Sequence, residues 1–488
     1  MAGERNLKGA VAGTLKWNVI DRVATQLLYA VTGVVLANML TKEEFGLVEA
    51  VMVFQAFAQL FVDSGFASAL IQRKSPTDLD YSTVLWFNLG MATVLYAVLA
   101  AGAPLIADIF QGDPRIVPLG RVMFLSFIIN AAGIVQTNQF MKRMDVKPVT
   151  MANSAGLFAG AVVGIYLAVT GHGAWSIVWQ TLTLGAVRTA ILWYVSTWRP
   201  MMRFSWSVLR GFFAVGSGVM ATSLLNTLFQ NISSLIIGNR STLGVLGYYA
   251  QANKWSKMGV MSLSQTLTSS FLPLLSEVQD DTERYRRVCA KTHRFTGYVT
   301  LPALILLTLM ATPIFHTLFG TKWDASIPMF ELLCLRGIFL VLSLLYGNYL
   351  ISLGRSKLLV VSEAVRDGAA LVAIGLTFGA LSDGTHGIII FLWGQLVAGI
   401  LSWGVSLWLT VRETGRPLGA WLLDLLPYAA ISCVSALPCL WIAGLGLHPL
   451  AECMAMATAF GGVYIIINFL LRSKVQKEVL GEMGIGKS

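Results

Sequence analysis

The chain has 488 residues, 56% of them hydrophobic and 12% charged, with a formal net charge of +10 and a mean hydropathy of +0.68. That composition excludes an ordinary soluble domain and a protein with a single anchor, and is that of a polytopic membrane protein. The basic residues are scattered over short segments between apolar spans, which argues for the positive-inside rule and against nucleic-acid binding.

At the N-terminus, Lys16, Asp21 and Arg22 interrupt the apolar core a signal peptide would need, so the segment is expected to stay on the protein. Fourteen stretches are long enough to cross about 30 Å of hydrocarbon: roughly 14–40, 45–69, 81–106, 116–139, 148–170, 173–197, 208–237, 243–275, 293–318, 325–351, 358–380, 385–410, 420–444 and 449–471. An even number puts both termini on one side. If that side is the cytoplasm, only Lys42, Arg115, Arg121, Arg240 and Lys322 fall in the outer loops, and the asymmetry sets the orientation. Outer loops such as TGHG and SDGTH are too short to hold a folded domain, which argues against a membrane enzyme.

In chain order, the first span carries Asn18, Arg22, Gln26 and Tyr29 on one helical side, and the second carries Gln55, Gln59 and Asp63. Arg22 and Asp63 reach similar depth. They read either as an ion pair joining two helices or as a pair that meets cargo or a proton, and Asp63 and Asp21 are the candidates for coupling or gating. Gly156, Gly160 and Gly164 form a small-residue run on the fifth span that suits close helix packing. The seventh span repeats the polar theme with Ser223, Asn226, Gln230 and Ser234.

The eighth span, opening LGYYAQANKWSKMGVMSLSQ, holds Lys254 and Lys257. A lysine at a helix centre costs roughly 2.5–3.5 kcal/mol unless water or a partner meets it. Gln251, Met258, Ser262 and Gln265 continue the same side, so this helix is expected to present a wet, cationic face. Contact with an anionic cargo, a salt bridge and a hydrated wall are the three readings of Lys254. The longest loop, 277–294, is basic and reads as a cytoplasmic topology determinant lying against anionic head groups. Glu363, Arg366 and Asp367 share one side of the eleventh span and can neutralise one another, and Pro302, Pro427 and Pro438 mark kinks. The five cysteines show no metal-ligand or redox spacing, and no Walker or triad pattern is present. Neither metal nor cofactor is expected.

The chain also repeats itself about two hundred residues apart. Phe45-Gly46 corresponds to Leu246-Gly247, Pro104 with Phe110 to Pro313 with Phe319, and Asn138–Lys147 to Asn348–Lys357. Six spans per copy makes the repeats parallel, related by a pseudo-twofold axis along the membrane normal. The expected fold is therefore all-α, with about fourteen transmembrane helices: a six-helix lobe in 1–200, its repeat in 201–412, two additional helices in 413–471 and a tail over 472–488. A duplicated bundle with polar faces suits alternating access.

With the segments GFASALIQRKSPTDLDYSTVLWFNL (65–89), LTKEEFGLVEA (40–50) and LGYYAQANKW (246–255), the chain resembles the polysaccharide transporter family. These are Wzx-type flippases for undecaprenyl-pyrophosphate-linked oligosaccharides, within the multidrug/oligosaccharidyl-lipid/polysaccharide exporter superfamily. The resemblance covers most of the chain. It implies a V-shaped pair of lobes around a cationic cavity that takes the pyrophosphate and sugars, with basic positions on Arg22 and Lys254; the polar stripes read above add Lys257, Gln26, Asn226, Gln230 and Gln251 as candidates for its lining. It further implies a bacterial inner-membrane protein, driven by a proton or sodium gradient or the membrane potential, whose partners are the polyprenyl-linked glycan, membrane lipid, and a glycan polymerase with its chain-length regulator. The competing readings are a lipid II flippase or cation-coupled drug exporter of the same superfamily, and a membrane glycan ligase or polymerase. Deep lysines speak against a carrier of cationic drugs, and short outer loops against the ligase.

Overall fold

The computed structural model describes residues 25–63, 70, 73, 75–471, 473 and 475–476, with the side chains of 61–63, 214–222, 266 and 268–269 left aside. It is an all-α polytopic membrane protein. Helices are numbered here in chain order: α1 (Thr25–Met39), α2 (Lys42–Asp63), α3 (Asp78–Ala101), α4 (Ala103–Ile109), α5 (Ile116–Met123), α6 (Ser126–Lys142), α7 (Lys147–Val169), α8 (Trp175–Val195), α9 (Trp206–Arg240), α10 (Leu243–Glu277), α11 (Thr282–Leu309), α12 (Ala311–Phe319), α13 (Ile327–Ser352), α14 (Ser356–Thr377), α15 (Gly384–Thr414), α16 (Leu418–Ala443) and α17 (Pro449–Leu470). Among the described residues, seven continuous helical stretches are long and apolar enough to cross a membrane by a strict length and hydropathy standard. One of them, Ser356–Thr414, doubles back at a short 3₁₀ segment, so that α14 and α15 run antiparallel with Ser362 bonded to Ser406 and Gln395 to the Ala370 carbonyl. Leucines and aromatics stand outward on α16 and α17, as at Leu423, Leu437, Trp441 and Phe469, as suits helices that face lipid.

The chain divides into two compact units, residues 1–247 and 248–488. In the first, α2, α6 and α8 run in the same direction. Gln55 bonds Ser126 and Asn130 bonds Gln59, while Thr189 bonds the Ile129 carbonyl and Trp193 that of Ala132, so each helix pair keeps a nearly constant offset along the chain. The antiparallel α7 packs on α8 through the glycine run. A Cβ on Gly156 would lie 2.6 Å from the Leu184 carbonyl oxygen, and one on Gly160 2.7 Å from that of Gln180.

The Arg73/Asp80 segment, which carries part of the family resemblance, has a structural role. Asp80 is buried, ion-pairs with Arg73 at 3.0 Å and closes a capping box with Thr77 at the start of α3. Ser82 accepts the Met201 amide at 2.9 Å, tying the same corner to the strand of chain that leads into α9.

The repeated sequence pairs have structural counterparts. Gly46 and Gly247 sit at one reciprocal contact: a Cβ on Gly46 would fall 1.8 Å from the Leu243 carbonyl oxygen, and one on Gly247 1.9 Å from that of Lys42. Only glycine allows backbones this close. In the first unit Phe110, closing the short α4, meets Phe54 with ring centroids 6.3 Å apart; in the second, Phe319, closing the short α12, meets Trp255 at 5.4 Å.

One sequence expectation needs correction. Residues 277–294 do not form a long loop, because α11 already begins at Thr282. Asp281 caps it by accepting the Arg284 amide, and Tyr285 donates to the Tyr349 carbonyl at 2.9 Å, so charged residues that looked like loop are the solvated side of an anchored helix. The prolines at 302, 427 and 438 lie inside helices, as does Pro273.

Candidate functional site

Arg22 and Asp21 lie outside the described residues. Asp63 ends α2, and its side chain likewise falls outside them. Gln26 is exposed on α1. On α9, Gln230 is exposed and Asn226 half-buried, while Ser234, one turn further along the same stripe, donates to the Glu49 carboxylate on α2 at 2.7 Å. Glu49 was missed from sequence. Its signal was an acid two turns inside an otherwise apolar helix, masked by the acidic pair Glu43-Glu44 just before it.

In the second unit, α10 presents Lys254 half-buried and Lys257 exposed, with Met258 and Ser262 half-buried and Gln265 exposed along the same side. These residues share one partly exposed side of the helix. Lys254 Nζ stands 5.6 Å from the Trp255 ring centroid, a cation–π contact that holds the ammonium near an aromatic wall. Counted from Leu243, Lys254 is about 17 Å into the helix at about 1.5 Å per residue. Gln251 departs from the expectation. It is 2% exposed, its Oε1 accepts from Trp255 Nε1 at 3.0 Å, and it belongs to packing under the open face instead of to the face itself. Helical periodicity placed it on the right side of the wheel, but the neighbouring indole draws its amide inward.

Within the first unit, Gln55, Gln59, Asn130, Thr137, Thr181 and Arg188 line a cavity of about 500 Å³ between α2, α6 and α8. The sequence showed the glutamine stripe and an arginine inside the sixth span, but not that three helices bring them together.

A further cluster, unreadable from sequence, lies in the second unit at the foot of α16. Asp424 ion-pairs with Arg416 at 2.7 Å and Arg294 at 3.2 Å, and lies 3.7 Å from His293. His293 Nε2 is 3.0 Å from the Tyr346 hydroxyl, and Arg416 stacks 4.8 Å over Trp421. Asp424 and Trp421 stand on α16 and their partners come from α11, α13 and the segment leading into α16, so the cluster fastens α16 to the rest of the unit. Arg294, grouped from sequence with lipid-facing basic residues, is committed here. Arg366 pairs with Asp367 at 3.1 Å, so that part of the charged group on α14 is internally neutralised.

The family described as "Polysaccharide biosynthesis protein" matches residues 35–328 of the chain. The chain belongs to that family. Among curated relatives of this chain, "Lipopolysaccharide biosynthesis protein WzxC" of Escherichia coli (strain K12) is 27% identical over 416 residues, 83% of this chain and 81% of that one. "Succinoglycan biosynthesis transport protein ExoT" of Rhizobium meliloti (strain 1021) is 25% identical over 407 residues, 83% of this chain and 81% of that one. Among solved structures, "Lipid II flippase MurJ, inward closed conformation" is similar with a TM-score of 0.74 at 12% identity, covering 93% of this chain and 99% of that one. At that identity the likeness is one of fold.

Proposed function

We propose that this chain is a flippase that carries undecaprenyl-pyrophosphate-linked oligosaccharide from the cytoplasmic to the outer leaflet by alternating access. The observation that carries the reading is the open side of α10, where Lys254 and Lys257 stand deep in a membrane helix, a placement that favours an anionic cargo over a cationic one. The family, a relative whose name includes transport and a flippase-like fold support it. So does the repetition of local contacts at Phe54/Phe110 and Trp255/Phe319, which a duplicated transporter produces. Arg22, Lys254, Lys257, Gln26, Asn226 and Gln230 are the proposed cargo contacts, Asp63 and Asp21 the proposed coupling or gating groups, and a proton or sodium gradient the proposed drive. A polymerase and its chain-length regulator are the proposed protein partners. The lobes are proposed as 1–200 and 201–412, with 413–471 appended.

A deletion strain lacking this gene is expected to lose its surface glycan and regain it with the wild-type chain. Unchanged surface glycan in the deletion strain would contradict the reading. The proposed orientation has both termini in the cytoplasm of the bacterial inner membrane. With the native cysteines removed, a cysteine at Lys322 should react with an impermeant thiol reagent on intact cells, and one at Arg286 only after permeabilisation. The reverse pattern would invert the direction of transport.

A further inference from the structure

We infer that the open cleft between the α4–α5 loop, the start of α2 and the turn joining α9 to α10 is a binding subsite for an uncharged sugar unit. That a sugar arrives there rests on the flippase reading; its recognition rests on the cleft. The cleft holds about 610 Å³ and carries Glu43, Gln111, Asp113, Arg115 and Thr242 as its polar lining. In the proposed orientation it opens on the outer side, where glycan emerges after crossing.

The polar groups are set in place before any ligand comes. Arg115 donates to the Asp113 carboxylate through Nη2 at 2.6 Å, through Nε at 3.0 Å and through its backbone amide at 2.9 Å. The guanidinium holds the Asp113 carboxyl below the usual carboxylate range, so the pair stays charged. Arg115 Nη1 is left with no hydrogen-bond partner among the described residues. Gln111 stands at φ 63°, followed by Gly112 at 76°. A glutamine in the left-handed region is uncommon, and here its Nε2 is tied to the Ser241 carbonyl, which leaves Oε1 over. At the same corner Ser241 is 4% exposed and its hydroxyl has no partner among the described residues. Buried groups of that kind are met by a ligand or by water.

The charges select against ions of either sign. A Cβ on Gly244 would lie 3.0 Å from Glu43 Oε1, so this carboxylate already answers the positive end of α10, the one feature that would invite an anion. Arg115 in turn opposes a cation. What remains is acceptors, Glu43 and Gln111 Oε1, beside a donor, Arg115 Nη1, with Pro114 and Leu243 as apolar surface. Vicinal hydroxyls donate and accept at once and so use the whole set, whereas an anion uses only its donors and a cation only its acceptors.

The test is direct binding to the purified full chain in lipid nanodiscs. Glucose, galactose, mannose and N-acetylglucosamine are the neutral probes, with glucuronate and glucosamine as anionic and cationic counterparts. At least one neutral sugar should bind in the millimolar range, about tenfold more tightly than glucuronate. Glu43→Gln should weaken that sugar about tenfold, the loss of one charge-assisted hydrogen bond, and narrow the gap to glucuronate. Gln111→Gly keeps the left-handed turn while removing the amide, and should weaken it about fivefold. Thermal unfolding checks that both variants are folded. No binding by any neutral sugar, glucuronate or glucosamine binding as tightly as the best of them, or wild-type binding by both folded variants would overturn the assignment. Flipping in proteoliposomes by a chain that binds no sugar here would sink the subsite and leave the flippase reading standing; binding without flipping would do the reverse.

Discussion

Replacing Asp424 with alanine should destabilise the second unit by about 3–4 kcal/mol, near the lower end of the range for removing one partner of a buried ion pair. The loss comes from what remains. Arg416 and Arg294, 14% and 29% exposed at the side chain, would keep their charges beside the fully buried His293 with no carboxylate to balance them. The lower end applies because Arg294 can still reach water. Asp424→Asn, which keeps shape and some hydrogen bonding, should fall between wild type and alanine. Joint replacement of Asp424 and Arg416 by apolar residues of similar volume should recover part of the loss, since no cation of that pair is then stranded. Thermal unfolding in detergent, with membrane abundance alongside, measures this. Wild-type stability in Asp424→Ala would show that the cluster does not hold α16 in place.

For Lys254 the expected effect is on export and not on abundance. The residue is half-buried on the open side of α10, with its ammonium over Trp255. A pyrophosphate brings several acceptor oxygens to such a point charge. Lys254→Ala should therefore abolish glycan export at normal membrane level, Lys254→Arg should retain a substantial part, and Lys254→Glu should be the most damaging of the three. Full export by the alanine variant at normal abundance would leave Lys254 as a residue that wets a wall.

Hydropathy located the membrane helices well because long apolar runs and short basic loops are local signals. The matched spacing of Pro104 with Phe110 and of Pro313 with Phe319 was legible as a repeat, but the helix breaks just before those prolines were not, since the expected spans 81–106 and 293–318 run through them and a proline alone does not say whether a helix kinks or ends. Nor was the start of α11, because hydropathy alone reads RYRRVCAKTHR as loop, whereas the Asp281 cap and the buried Tyr285 and Cys289 make it helix. Tertiary encounters were the least visible. Nothing local in His293, Arg294, Arg416 and Asp424 says that they meet, nor that Arg188 joins the glutamines of α2, since each encounter depends on which helices pack together. Gln251 shows the converse limit, where a correct helical side still left the amide to be claimed by Trp255.

The central claim is transmembrane movement of a lipid-linked glycan, and the most direct measurement is flipping in proteoliposomes. Purified protein is reconstituted with undecaprenyl-pyrophosphate-linked oligosaccharide in both leaflets, and the fraction of glycan open to an external, membrane-impermeant glycan-modifying enzyme is followed with time. The account predicts that wild-type vesicles expose the inner-leaflet pool while Lys254→Ala vesicles and protein-free vesicles do not. Equal exposure in all three, with the protein folded and a drive supplied as proton, sodium or potential gradient in turn, would contradict it.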